Sequence, residues 1–129
     1  MNMKSDNLIE GEIADYVLES SGILVSYSKP VRRTVENIAR NIALVQSITH
    51  HKPAPLLIFL SKSPVPDKAT RKFSSEQLPF VYKAMAMVSK PGLSALIMRL
   101  LFQFQNPPIP MKSFTNEIEA REWLKKYVN

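Results

Sequence analysis

The chain reads as an α/β domain: a mixed, mostly parallel five-stranded sheet with four helices, in the order ββαβαβαβα. Three observations predict it. Short apolar runs alternate with amphipathic stretches from about residue 30 onwards. Helices that alternate with strands call for parallel pairing and right-handed crossovers. The first two apolar runs are separated by little more than Ser20-Ser21-Gly22, too short a link for a crossover, so they pair as an antiparallel hairpin.

The elements follow in order. Ala14 to Leu18 alternates loosely and forms the first strand, and Ile23 to Tyr27 the second, with Gly22 supplying positive φ in the turn between. Pro30 ends the second strand. Thr34 then caps a helix on which Val35, Ile38, Ile42 and Val45 recur at helical spacing, with Ala39 and Ala43 widening the stripe. His50, His51 and Lys52 close it where positive charge suits the dipole, and Pro53 and Pro55 stop it.

Leu56 to Leu60 is continuously apolar, as a strand covered on both faces requires. After a loop over residues 61–66, Asp67 caps a second, more polar helix, whose end is left open because Pro79 intervenes. Ala84 to Val88 forms the fourth strand. Pro91 suits the first turn of a third helix, running to about Gln105. Met111 to Phe114 is the fifth strand. Thr115 caps the last helix, whose apolar face is Ala120, Trp123, Leu124 and Tyr127, with Glu117 and Glu119 at its positive end and Lys125 and Lys126 at its negative end.

At 129 residues with 45% apolar content, one core and one domain are expected. That domain spans residues 13–129, and residues 1–12 form a flexible start. The absence of cysteine excludes disulfides, thiolate metal sites and thiol nucleophiles. Residues 1–12 lack the apolar core of a signal peptide, and no apolar run reaches the length of a spanning helix, so a cytoplasmic protein without a transmembrane segment is expected.

The element order, together with particular residues, resembles a known family. Those residues are Ala14-Asp15-Tyr16 and Gly22-Ile23-Leu24, then the Phe102-to-Phe114 stretch with Gln105-Asn106-Pro107-Pro108-Ile109-Pro110 inside it, and Glu119 to Lys125. They resemble the STAS domain of SpoIIAA-type anti-sigma-factor antagonists, and more closely the small stand-alone SpoIIAA-like (STAS/SEC14-like) bacterial proteins of unknown function. The resemblance implies the fold and a regulatory role through protein contact. It also implies a serine after the third strand that a kinase phosphorylates. Ser61 and Ser63 fall in the matching segment, which departs from the family pattern by lacking Asp-Ser-x-Gly and by carrying Pro64 and Pro66.

Catalytic motifs are absent. The two histidines are neighbours, and adjacent helical residues point about 100° apart, so they form no pair. No metalloprotease, nucleophile-elbow, P-loop or dinucleotide fingerprint occurs, and three glycines cannot make a phosphate-cradling loop. The sequence thus predicts a protein that is not an enzyme and holds no cofactor or metal.

The net charge of +6 is uneven. Between Ser20 and Lys112 there are 13 Lys and Arg against 3 acids. A parallel sheet gathers strand C-termini and helix N-termini on one edge. Lys29, Arg32 and Arg33 follow the second strand, Lys62 and Lys68 the third, and Lys90 the fourth. These six are expected to form an edge that attracts an anion or a partner. The third helix carries more apolar surface than its core stripe needs, with Met98 and Phe102 beyond that stripe as an apolar interface for a homodimer or a hydrophobic ligand. A protein partner is the first expectation, and an anionic or lipidic ligand the second. Nucleic acid is disfavoured, because aromatic residues are not interleaved with the basic cluster.

Overall fold

A computed structural model describes residues 7–91 and 107–128 of the chain. Within them, five strands form one sheet in the spatial order β1-β2-β3-β4-β5. They are β1 (Ala14–Leu18), β2 (Leu24–Ser28), β3 (Ala54–Phe59), β4 (Tyr82–Val88) and β5 (Met111–Phe114). β1 and β2 are antiparallel, and every other neighbour is parallel. Three α-helices accompany them: α1 (Val35–Thr49), α2 (Lys68–Val81) and α3 (Glu117–Leu124), the last followed by a 3-10 turn (Lys125–Tyr127). The mixed five-stranded α/β architecture read from the sequence is therefore present. The helix expected from Pro91 to about Gln105, with Met98 and Phe102 on it, lies outside the described residues except for Pro91 itself.

Alternation along the strands sends side chains to two cores. Tyr16, Leu24, Leu56, Met85 and Met87 face α1 and α2. Val25, Leu57, Ala84 and Ala86 face Ala120 and Leu124 of α3. Leu24, Leu56 and Leu57 are 0–2% exposed, and burial of each contributes about 2 kcal/mol. The small Ala84 and Ala86 let α3 approach β4 closely. Around them Trp123 meets Phe114 at 5.9 Å and Tyr127 at 5.1 Å.

The turn signals act as chemistry requires. Gly22 adopts φ +98°, and its N–H bonds to the Glu19 carbonyl to close the hairpin. Thr34 caps α1 with a full capping box: its Oγ1 accepts from the Asn37 N–H, and Asn37 Oδ1 accepts from the Thr34 N–H. Asp67 caps α2 by accepting from the Thr70 N–H at 2.8 Å.

Three expectations need correction, and one end left open is now placed. The last helix is capped by Asn116, not Thr115, through a bond from the Glu119 N–H. α2, whose end the sequence leaves open, runs past Pro79 to Val81. Pro79 is exposed, so the bond it fails to make to Ser75 leaves a carbonyl near solvent. β4 starts at Tyr82, two residues before Ala84 and with no loop after α2; Lys83 is an extra residue opposite the step from Ala54 to Pro55. Pro55 has no N–H to give the ladder, and a bulge there absorbs that loss. Lastly, Ala39 and Ala43 are exposed and do not widen the α1 stripe, whereas Asn37 is buried and Asn41 half-buried.

The start of the chain is also tied down further forward than residue 13. Ile9 exchanges two backbone hydrogen bonds of 2.8 Å with Tyr16. Glu12 forms a two-pronged bond with Arg40. A Cβ on Gly11 would collide with the Ala14 carbonyl, so only glycine fits where this segment crosses. Residues 9–12 thus lie against β1 and α1.

Candidate functional site

α1, α2 and α3 all begin beside the C-terminal ends of the parallel strands, on the edge where Tyr27, Phe59, Val88 and Phe114 stand in register. The six cations expected at this edge divide into two kinds. Lys29 and Arg33 are internal struts. Lys29 Nζ donates to the Gly11 carbonyl at 2.6 Å and pairs with Asp15 at 3.1 Å. Arg33 donates from Nη1 to the Lys29 and Val31 carbonyls, and from Nη2 to the Ile13 carbonyl and Ser28 Oγ, over 2.6–2.9 Å. Burial pushes its guanidinium pKa down.

Arg32, Lys62, Lys68 and Lys90 are exposed and take part in no salt bridge among the described residues. They stand near the ends of β2, β3 and β4 and the starts of α1 and α2. The Asp67 carboxyl is held below its usual range, first by its hydrogen bonds with Thr70 and also by Arg71 and Arg32 nearby.

Ser61 and Ser63 lie in the extended segment between β3 and α2. The Ser61 hydroxyl is buried and finds no hydrogen-bond partner, and Ser63 is half-buried. Asp67 occupies the N-cap itself, so the start of α2 already holds a negative side chain. His50 and His51 are exposed, with φ of +57° and +62°, at the C-terminal end of α1, across the sheet from the cation edge. Among the described residues no group of three or more His, Cys, Asp or Glu gathers as metal ligands, and no helix is long and apolar enough to cross a membrane.

A feature that sequence reasoning missed lies on the face under α1 and α2. A partly open cavity of about 160 Å³ lies between the two helices and the sheet. Ile38, Ile42, Leu56 and Met85 form part of its apolar wall, and Tyr16, Ser26, Arg33, Asn41 and Tyr82, with Ser74 and Gln77 of α2, carry its polar groups. Asn41 Nδ2 donates to the Tyr16 phenolic oxygen at 2.7 Å. Ser26 and Tyr82 also interact with that oxygen. Burial raises the Tyr16 pKa against these stabilising bonds. Tyr82 is raised well above the ordinary tyrosine value, by burial first and by Tyr16 second. Asn41 Oδ1 is buried with no partner. Two polar residues at inward positions carry the sequence signal for this cavity: Ser26, two residues after Leu24, and Asn41, three after Ile38.

This sheet order, with helices on both faces and strand ends converging on one edge, defines a SpoIIAA-like α/β domain. A crystal structure of an uncharacterised DUF3478-family protein from Shewanella loihica PV-4, described as having a SpoIIAA-like fold, is similar to it with a TM-score of 0.55. The two share 18% identity over 91% of this chain and 90% of the other. The chain belongs to the family described as Domain of unknown function (DUF7793), which matches residues 16–128. No curated protein matches it.

Proposed function

We propose that the domain is a non-enzymatic regulatory module that acts by protein–protein contact, using its strand-end edge against an acidic surface of a partner. The observation that carries this is the group of four exposed cations, Arg32, Lys62, Lys68 and Lys90, near the helix starts with no acid salt-bridged to them among the described residues. Helix N-termini add positive potential to the same edge. The position of the histidines across the sheet supports a non-catalytic reading of this edge. A cytoplasmic setting fits a chain without cysteine.

An anionic or lipidic ligand has less support. Lys29 and Arg33 donate to backbone carbonyls rather than outward. The cavity of about 160 Å³ is also smaller than the roughly 300–1,000 Å³ of sites for drug-sized ligands.

The test is affinity capture from the native cell with the parent and an Arg32→Glu/Lys62→Glu/Lys90→Glu variant. A partner recovered with the parent, lost with the variant and lost as salt rises supports the edge. Equal recovery of the same proteins by both excludes it.

A further inference from the structure

We propose that the open border of β5 is a strand-addition site for an extended segment of a partner protein, one that carries an acid and, two residues away, an apolar side chain. The site lies apart from the strand-end edge and does not depend on it.

The backbone sets the first condition. β5 is the last strand of the sheet. The Met85 N–H donates to the Pro110 carbonyl and the Ser89 N–H to the Phe114 carbonyl, with Met111 in register beside Met85 and Ser113 beside Met87. Alternate residues of a parallel strand bond to the same neighbour, so Pro110, Lys112 and Phe114 face the β4 ladder. The main-chain N–H and C=O groups of Met111 and Ser113 therefore point away from the sheet. Among the described residues no hydrogen bond reaches them. An added strand completes such groups, and main-chain bonds of this kind supply its affinity.

The side chains set the second. Beside this border Pro107, Pro110, Met111 and Trp123 line a shallow, open groove together with Lys112. Phe114 and Tyr127 brace the Trp123 ring at 5.9 and 5.1 Å, so this wall is preformed. Residues two apart on an added strand share a face. An acid opposite Lys112 thus places its second neighbour toward Pro110 and Trp123, where an apolar side chain finds cover. Pockets for alternate side chains give such sites their specificity.

Charge sets the third. Lys112 lines the groove, and Lys126 stands over the Trp123 ring at 5.5 Å. Both are exposed, neither takes part in a salt bridge among the described residues, and no Asp or Glu lines the groove. Opposite charges facing each other across two strands attract, and like charges repel. A second copy of this chain is therefore a poor occupant. Paired about a two-fold axis over a strand of four residues, it brings its own Lys112 opposite or diagonal to this one. An acidic segment meets no such repulsion.

The experiment adds acetylated and amidated peptides to the full chain and follows amide shifts in 1H–15N spectra. The probe is Leu-Thr-Glu-Thr-Leu, which sets a leucine two residues from the acid in either strand direction. Its controls are Leu-Thr-Lys-Thr-Leu and the glutamate peptide with every amide N-methylated. The expected result is saturable shifts at Met111 and Ser113, with the glutamate peptide about fivefold tighter than the lysine peptide. The N-methylated form should not bind, and Lys112→Glu should reverse the preference between the two charged peptides. The proposal is overturned if the glutamate peptide gives no saturable shift at Met111 and Ser113, or if either control binds as tightly. Shifts confined to Arg32, Lys62 and Lys90 would put the peptide on the strand-end edge and overturn it while leaving that edge's role intact. Concentration-dependent shifts at Met111 and Ser113 without peptide would put a second copy there instead, against the proposal. These outcomes are read on the parent, so they decide the matter even if Lys112→Glu fails to fold.

Discussion

Asn41, midway along α1, donates its side-chain N–H to the phenolic oxygen of Tyr16 on β1 at 2.7 Å. It is a polar clasp between a helix and the sheet beneath it, on a largely apolar face. Tyr16→Phe strands the Asn41 amide in the interior, and should cost about 1–3 kcal/mol in urea unfolding. Adding Asn41→Leu should recover part of that loss, because no orphaned donor remains. Strictly additive losses in the double-mutant cycle would argue against the clasp.

The two raised tyrosines give an alkaline limit. Folding lifts the pKa of Tyr16 and Tyr82 above the unfolded value of about 10. Their contribution is therefore fully present below pH 10, and it declines above that pH as the unfolded chain ionises while the folded chain does not. Of the four tyrosines, these two should ionise only as the protein unfolds. A spectrophotometric titration of phenolate, compared with circular dichroism over the same range, tests this. Tyr82→Phe should make the alkaline decline shallower.

Asp67 acts in the opposite direction. Its carboxyl pKa is depressed by the bonds it makes at the start of α2. The stability it contributes is present above the unfolded value of about 3.9 and is lost as pH falls through the lower folded value. Asp67→Asn keeps a capping oxygen without a titrating proton, so it should flatten the acid end of the stability profile. Stability measured from pH 2 to 6 checks the slope.

Caps elsewhere can be compared by substitution. Thr34→Ala removes one half of the α1 capping box and should cost about 1 kcal/mol. Asn116→Ala should likewise cost about 1 kcal/mol, whereas Thr115→Ala should cost little. Chemical denaturation of the three variants distinguishes a helix that starts after Asn116 from one that starts after Thr115.

The division of the cations is testable by stability alone. Arg33→Met removes the side-chain donor from three carbonyls, of which those of Ile13 and Lys29 keep a backbone N–H, and should cost about 1–2 kcal/mol. Arg32→Met, one residue earlier and exposed, should fall within about 0.5 kcal/mol of the parent. Thermal or urea midpoints of the two provide the contrast.

Much of this architecture is legible in the sequence because local chemistry announces it. Ala14–Leu18 and Met111–Phe114 are strands with the bounds expected of them, and Thr34 and Asp67 cap because their side chains reach the N–H groups of the following turn. Other features depend on partners distant in sequence. Pro79 leaves the end of α2 open in the sequence; its missing bond faces solvent, and the helix continues to Val81. Lys29 and Arg33 read as a binding edge, yet their partners include the carbonyls of Gly11 and Ile13, which carry no side-chain signature. The cavity is hidden for a related reason. Hydrophobic periodicity carries the α1 stripe through alanines, while the polar Asn41 turns inward beside Ile42, between Ile38 and Val45.

The bridge formed at Ile9 has a consequence for the protein in concentrated solution. A sheet of this kind ends in two open borders, each a template on which another chain can dock and begin aggregating. The backbone bonds between Ile9 and Tyr16 occupy part of the border at β1. The border at β5 is only four residues long, directly follows Pro110 and carries Lys112. Removing residues 1–10 would uncover the longer border, and the shortened chain should form oligomers and thioflavin-binding material at concentrations where the parent stays monodisperse.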